Sequence, residues 1–233
     1  MHFEKNDNFE TKDIVEFYKI LEPNIRKSTI HWRIYSLIQN GIIYRIGRGK
    51  YTLKPKPNYM PEIPQKLKAI NSKLKKNFPF STFCLWSSSF INEFTIHQSF
   101  KSFFLIEVEK DSTESIFHFL KDRKYKVFIE PSREVFDNYA SGENNFIIVK
   151  SLISEAPLQN ITNLNTVTLE KMLVDIFSGK IIFSAYQGNE MKTIFSEAYK
   201  KYNVNENKLL RYANRRGKKE QLQKYIKLIT GNN

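Results

Sequence analysis

The chain lacks several features by which common classes of protein are recognised. Cys84 is the only cysteine among 233 residues, which excludes an intramolecular disulfide and a metal site built from several thiolates. No apolar run reaches the roughly 20 residues that a membrane-spanning helix needs, and the acidic N-terminal segment has no apolar signal-peptide core. These absences favour a cytoplasmic protein without a membrane partner.

The sequence also lacks the residue patterns of common catalytic sites. The four histidines are scattered without the spacing of metal ligands, and there is no glycine-rich phosphate-binding loop. Ser87 to Ser89 follow a predicted strand but lack the flanking glycines of a nucleophile elbow, so we interpret them as helix-capping residues. We therefore predict no catalytic residues, no metal site and no cofactor.

One alternative to a binding protein without catalytic activity of its own starts from Glu107 and Glu109. These residues end an apolar segment, where metal-dependent nucleases place an acidic residue and a lysine separated by one position. Here Lys110 directly follows Glu109, and alternate residues of a strand point to opposite faces. We expect surface charges at a strand end. A nuclease that depends on Glu107 remains one alternative, and a non-catalytic protein-interaction module is the other.

Acidic residues are missing from a stretch that is rich in basic ones. The net charge is +13, and residues 23–60 contain eight basic residues and no acidic residue. Residues 205–233 contain eight basic and two acidic residues. Charge concentrated in this way predicts a polyanionic partner.

The first basic stretch has the pattern of a winged helix-turn-helix. Apolar residues at helical spacing predict a helix over 11–21, which Pro23 ends. A second helix is predicted over 28–39, with Ser28 as its N-cap and Gly41 beyond its end. Strands over 42–46 and 50–53 then flank the turn Gly47-Arg48-Gly49.

A winged helix-turn-helix places its second helix in the major groove of double-stranded DNA. Four of the basic residues, Arg33, Arg45, Arg48 and Lys50, are expected to contact phosphates rather than to read bases. The full set of candidate DNA-binding residues is Lys27, Ser28, Thr29, Trp32, Arg33, Ser36, Arg45, Arg48 and Lys50. A small winged domain that makes only protein contacts is the alternative interpretation.

The rest of the chain is predicted to form a second domain. A proline-rich linker over 55–64 separates a DNA-binding domain over 1–54 from a domain over 65–233. Alternating strand and helix patterns predict a small α/β sheet, followed by helices from about 166 to 230. The fold class is therefore α/β (α+β). The basic end is a candidate second anion-binding surface, formed by Arg211, Arg215, Arg216, Lys218 and Lys219.

Two segments of the chain resemble AbiEi proteins, the antitoxins and repressors of type IV (AbiE abortive-infection) toxin–antitoxin pairs. They are KSTIHWRIYSLIQNGIIYRIGRGKYTL (27–53) and TLEKMLVDIFSGKIIFSAYQGNEMKTIF (168–195). The middle of the chain, including CLWSSSFINEF, resembles a separate branch of that group. The resemblance implies a transcriptional regulator that binds the promoter of its own operon. It also implies a partner toxin, encoded by a neighbouring gene, that resembles a nucleotidyltransferase.

Overall fold

The computed structural model describes residues 8–54, 56–96, 102–140 and 144–230. Residues 1–7 of the predicted first domain and Pro55 of the predicted linker lie outside the described residues. The fold is mixed α+β, which confirms the predicted class. Two compact units are present: the first comprises 1–58 and 201–207, and the second comprises 59–200 and 208–233.

The first unit combines a pair of helices with a small antiparallel sheet. Its elements in chain order are β1 (Asn8–Glu10), α1 (Thr11–Leu21), α2 (Lys27–Gln39), β2 (Tyr44–Gly47) and β3 (Lys50–Thr52). The strand order is β1-β3-β2, with β3 paired to both neighbours. Strand β1 was not predicted, because three residues are too few to show an alternating pattern.

Helix α2 begins two residues earlier than the capping pattern suggests. Its N-cap is Arg26, in extended conformation and without a side-chain cap, so the prediction that Ser28 caps the helix was wrong. The chain reaches helical geometry at Lys27, directly after the turn that follows Pro23. The predicted end is confirmed: Gly41 has φ +67° and its N–H donates to the carbonyl of Ile38.

The predicted apolar stripe of α2 forms the core of this unit. Ile30 and Ile34 are buried, and Leu37 and Ile38 pack against them. The other members of this core are Phe9 of β1, Ile14 of α1, Ile43 just before β2 and Tyr51 of β3. Because α1, α2, β1, β3 and the residue before β2 bury side chains in this one cluster, the opposite face of α2 is left to solvent.

The hairpin of β2 and β3 has the tight turn that the sequence predicts. Gly47 pairs with Lys50, and Gly49 has φ +71°, a conformation that side chains other than glycine rarely adopt. Arg48 lies exposed in this turn. The first strand begins at Tyr44 rather than at Ile42, because Ile42 and Ile43 still bond back to the last turn of α2.

The second unit contains a four-stranded mixed sheet with helices against it. The sheet consists of β4 (Phe83–Ser87), β5 (Phe104–Val108), β6 (Val127–Ile129) and β7 (Ile147–Ser151). The order is β4-β5-β7-β6, in which β4 is antiparallel to β5, and β7 is parallel to β5 and to β6. The first part of this unit also contains α3 (Gln65–Asn77), α4 (Thr113–Asp122) and the short α5 (Arg133–Val135), which a π-helical turn over Phe136–Ala140 continues.

A second hairpin precedes the helices of the C-terminal part. It consists of β8 (Leu158–Ile161) and β9 (Leu164–Val167). This hairpin was not predicted, because its turn residues, Thr162 and Asn163, adopt positive φ without the glycine that usually marks such a turn. The predicted helical segment therefore begins after β9, at Leu169.

Four helices follow in the described part of this segment: α6 (Leu169–Ser178), α7 (Asn189–Lys201), α8 (Glu206–Arg215) and α9 (Lys219–Thr230). Thr168 caps α6, with its hydroxyl accepting from the N–H of Lys171. Gly179 is the C-cap of α6. A Cβ there would lie 2.9 Å from both the Asp175 carbonyl oxygen and the Phe183 ring, so the close approach requires glycine.

The serines after β4 have the capping role that the sequence indicates. The hydroxyl of Ser87 accepts from the N–H of Ser89 at 3.1 Å, at the start of a 3₁₀ helix over Ser88–Phe94. The hydroxyl of Ser88 accepts from the N–H of Phe103 at 2.9 Å. Both hydroxyls therefore hold local structure.

Candidate nucleic-acid interface and a buried charge cluster

The solvent-facing side of α2 carries two large aromatic residues. Trp32 is 67% exposed and Tyr35 is 61% exposed. Ser28 is also exposed, and Thr29 and Ser36 are half-buried beside them. This face therefore offers hydroxyls and aromatic rings, and its charged groups lie at its edges.

Arg33 is held by an acidic residue of the same unit. Its guanidinium donates to both carboxylate oxygens of Glu22, at 2.7 and 3.2 Å. It also lies 4.9 Å from the centroid of the Tyr18 ring. A guanidinium paired in this two-pronged way has its charge largely neutralised. Arg33 is thus a weaker phosphate ligand than its sequence position suggests.

The hairpin shows the same division between paired and outward-facing cations. Lys50 Nζ lies 2.8 Å from Glu206 Oε2, an ion pair that joins residues 156 positions apart and that no local pattern could reveal. Arg45 is exposed and its Nε donates to the carbonyl of Gly47. Arg48 and Lys27 are exposed as well. The cations best placed to meet a phosphate are therefore Lys27, Arg45 and Arg48.

One member of the predicted second anion surface near the C-terminus, Arg216, turns inward. Arg216 was expected on that surface, but its Nη1 donates to Asp175 Oδ1 at 2.8 Å and its side chain is only 15% exposed. Arg215 pairs with Glu155. Of the other predicted members, Arg211 and Lys219 are exposed and Lys218 is half-buried. The prediction was wrong for Arg216, because helix α8 brings this arginine inward onto α6.

Glu107 is the centre of a buried polar cluster, so the prediction of a surface charge was wrong. It lies in β5, an inner strand of the sheet, between Cys84 on β4 and Lys150 on β7. Its Oε1 accepts from the indole N–H of Trp86 at 2.8 Å and from Lys171 Nζ at 2.6 Å. Its side chain and that of Lys171 are both fully buried. Glu109, in contrast, is exposed and accepts from the N–H of Thr82.

Asp175 extends this cluster to the C-terminal helices. Lys171 Nζ lies 2.5 Å from its Oδ2, one turn of α6 away. On its Oδ1, Asp175 accepts from the Tyr212 hydroxyl at 3.0 Å and from Arg216. Two carboxylates and two cations therefore balance in a site that joins β5, α6 and α8.

The opposite charges in this cluster stabilise each other's charged forms. Burial acts to lower the pKa of Lys171, but the carboxylates of Asp175 and Glu107 outweigh it and hold that pKa well above its ordinary value. Burial acts to raise the pKa of Asp175, but Lys171, Lys150 and Arg216 outweigh it and hold that pKa below its ordinary value. Burial raises the pKa of Tyr212, so its hydroxyl stays a donor.

These shifts fix the pH range in which the cluster stabilises the fold. The lowered pKa of Asp175 contributes stability above its unfolded value, about 3.9, and that contribution is lost as the pH falls through the folded pKa. The raised pKa of Lys171 contributes stability below its unfolded value, about 10.4, and that contribution is lost as the pH rises through the folded pKa. Both groups are therefore charged and stabilising at neutral pH.

The geometry suits a structural role better than a catalytic one. Glu107, Lys171 and Asp175 are closed to solvent, so a substrate cannot reach them. Glu107 was also the residue on which the nuclease alternative depended. In the described part of the chain, no group of three or more His, Cys, Asp and Glu residues is placed to hold a metal ion.

One feature of the sequence indicates the buried cluster, although it was not used in the predictions above. Lys171 and Asp175 are four residues apart, the spacing of an ion pair on a helix, within a segment that is apolar on both sides. A charged pair in such a segment indicates burial of both partners. Trp86 and Glu107 carried no comparable signal, since their partners lie far along the chain.

A protein-family profile matches residues 29–232, which is most of the chain and includes all of α2 except its first two residues, the hairpin and the whole buried cluster. The chain belongs to DUF6577, described as a family of unknown function. No curated protein and no solved structure shows a match. The DUF6577 assignment therefore carries no activity with it. Within the described ranges, no helix of this family member has the length and apolar content required to cross a membrane.

Replacing the central lysine tests the structural role of the cluster. Lys171→Met leaves Glu107 and Asp175 buried without the cation that contacts both of them. We expect the free energy of unfolding to fall by about 3–5 kcal/mol, the usual cost of removing one partner from a buried ion pair. Urea unfolding followed by circular dichroism measures this loss.

Lys200→Met is the matched control for that measurement. Lys200 pairs with Glu197 at 3.3 Å and its side chain is 75% exposed. An exposed pair contributes little, so we expect a change within about 0.5 kcal/mol. Equal losses for the two variants would contradict a stabilising role for the buried cluster.

Proposed function

We propose that this protein is a cytoplasmic transcriptional regulator whose first unit is a winged helix-turn-helix that binds double-stranded DNA. The observation that carries the proposal is the exposed side of α2, with Trp32 and Tyr35 facing solvent in a stretch of the chain that has eight basic and no acidic residues. Helices α1 and α2 followed by the β2–β3 hairpin have the element order of such a domain.

In this proposal α2 enters the major groove, which is wide enough to admit a helix. Ser28, Thr29 and Ser36 meet polar groups there, and Trp32 packs against sugars or thymine methyl groups. None of these side chains provides the two-pronged pairing to guanine for which arginine is suited. The exposed face of α2 thus contributes shape and apolar contact to the interface.

The hairpin supplies phosphate contacts in the same proposal. Arg48 in the turn and Arg45 on β2 are exposed, and Lys27 lies at the start of α2. Phosphate contacts fix the orientation of a protein on DNA and release condensed counterions, so the affinity falls as the salt concentration rises. Arg33 and Lys50 are paired with Glu22 and Glu206, so in this proposal they stabilise the DNA-binding unit and are not its main phosphate ligands.

We further propose that the regulator acts as an antitoxin. The resemblance of residues 27–53 and 168–195 to AbiEi proteins supports this step. In that case the first unit represses the promoter of its own operon, and the second unit opposes a nucleotidyltransferase-like toxin encoded nearby. The second unit as a plain interaction module, without a toxin, is the competing proposal.

Removing the two hairpin arginines tests DNA binding. For Arg45→Ala with Arg48→Ala, we expect weaker binding to any duplex, including one that carries the protein's own promoter. Loss of two phosphate contacts should make the slope of log affinity against log salt shallower by about 1.8. Fluorescence anisotropy across a salt series measures both quantities.

The control for this experiment removes two exposed lysines of α9, Lys224 and Lys227, by substitution with alanine. That variant has the same net charge and should bind as the native chain does. If the arginine and lysine variants bind equally well, the hairpin is not a phosphate ligand and the winged-domain proposal fails.

Co-expression with the neighbouring gene tests the antitoxin role. We expect the product of that gene to arrest growth when it is expressed alone, and the full-length protein to restore growth. Colony counts measure the rescue. The Arg45→Ala, Arg48→Ala variant should still rescue when both genes have foreign promoters, because opposition to the toxin is assigned to the second unit. Absence of rescue by the native chain would contradict the antitoxin proposal and leave DNA binding untouched.

A further inference from the structure

The second unit carries a basic surface that a count of charges along the sequence does not reveal. Residues 73–76 at the end of α3 and residues 121–126 after α4 contain seven basic residues and one acidic residue, Asp122. The two segments are separated by more than 40 positions, and the acidic residues between them hide the concentration in any count along the chain.

Two side-chain contacts bring these segments together. Lys73 Nζ donates to the Tyr125 hydroxyl at 2.9 Å, and it lies 5.2 Å from the centroid of that ring. The rings of Phe78 and Phe119 pack edge to face, with their centroids 5.1 Å apart. The end of α3 and the turn after α4 therefore form one surface. We call the cations of this surface the basic ridge. They are Lys73, Lys76, Lys121, Arg123 and Lys124.

The ridge keeps most of its charge directed to solvent. Lys76, Lys121 and Lys124 are exposed. The guanidinium of Arg123 lies 3.5 Å from the centroid of the Phe119 ring, which fixes its position in the ridge. Lys75 differs, because its Nζ donates to the carbonyl of Asn163 at 2.6 Å. Like charges gathered on one surface repel one another, and a polyanionic ligand relieves that repulsion.

An exposed aromatic residue follows α3 in the chain, close in sequence to the cations at the end of that helix. Phe80 is fully exposed, in the turn that follows α3, four residues after Lys76. The N–H of Ser81 donates to the carbonyl of Phe78, which closes this turn. A phenylalanine without protein contact loses apolar burial, and a flat apolar ligand such as a nucleobase restores it.

We propose that the basic ridge and Phe80 bind single-stranded nucleic acid, with the cations on consecutive phosphates and Phe80 stacked on a base. Single-strand sites combine these two features, a cationic track and an exposed aromatic ring. A duplex keeps its bases stacked inside and leaves Phe80 without a partner. An acidic protein is disfavoured because lysine is depleted at protein–protein interfaces, and this surface is mainly lysine.

The experiment measures binding of a fluorescein-labelled 20-nucleotide poly-dT strand to the full-length protein by anisotropy. All variants carry Arg45→Ala and Arg48→Ala, which remove the outward charges of the hairpin, so the first unit does not dominate the signal. Lys76→Glu, Lys121→Glu and Lys124→Glu together should weaken binding by about tenfold or more. They should also make the salt slope shallower by about 2, since each single-strand phosphate contact contributes about 0.7. Phe80→Ala should weaken binding by about fivefold or more.

The matched control reverses three exposed lysines elsewhere in the second unit, by Lys192→Glu, Lys224→Glu and Lys227→Glu. It has the same net charge as the ridge variant and should retain most of the binding. Circular dichroism and thermal unfolding establish that both triple variants are folded.

Three results would overturn the proposal. In the first, the ridge variant and the control bind the strand equally, so only net charge matters. In the second, Phe80→Ala has no effect and a 20-base-pair duplex binds as tightly as the strand, so the surface is not a single-strand site. In the third, the protein does not bind the strand but binds polyglutamate through the ridge, which indicates an acidic protein as the partner of this surface. None of these results bears on duplex binding by the first unit.

Discussion

The second unit depends on the buried ammonium group of Lys171, which lies 2.6 Å from Glu107 and 2.5 Å from Asp175. Each of these charges would be costly to bury alone, and together with Arg216 they balance. Because the partners come from β5, α6 and the end of α8, the cluster fixes how the C-terminal helices sit on the sheet. A purely apolar contact would permit these helices to slide or rotate. The directed hydrogen bonds from Lys171 to Glu107 and from Tyr212 to Asp175 restrict them to one arrangement.

The cations of this basic chain form two groups, those that are paired with an acidic residue and those that face solvent. Arg33, Lys50, Arg215 and Arg216 have acidic partners within their own units and act in the fold. Arg48 and Lys27 in the first unit, and Lys76, Lys121 and Lys124 in the second, face solvent. Arg45 is exposed as well, and the proposed functions rest on these exposed cations. A count of charge along the sequence cannot separate the groups, because ion pairs join residues that are distant in the chain.

Features decided by local geometry were predictable from the sequence, and features decided by distant contacts were not. The apolar stripe of α2, the glycine turn of the hairpin and the capping by Ser87 follow from spacing and residue type within a few positions. Glu107 is buried because its partner stands 64 residues later, and strand order depends on pairings of similar range. The β8–β9 hairpin was not predictable for a different reason, because Thr162 and Asn163 form a turn that usually needs glycine.

The central claim is that the exposed side of α2 is the DNA interface, and the fluorescence of Trp32 tests it most directly. The chain has two tryptophans, and Trp86 is fully buried, so acrylamide quenches mainly Trp32. A saturating amount of duplex carrying the protein's own promoter should protect Trp32 from acrylamide and shift its emission to shorter wavelength. If DNA is bound and Trp32 remains as accessible to acrylamide as in the free protein, α2 is not the surface that enters the groove.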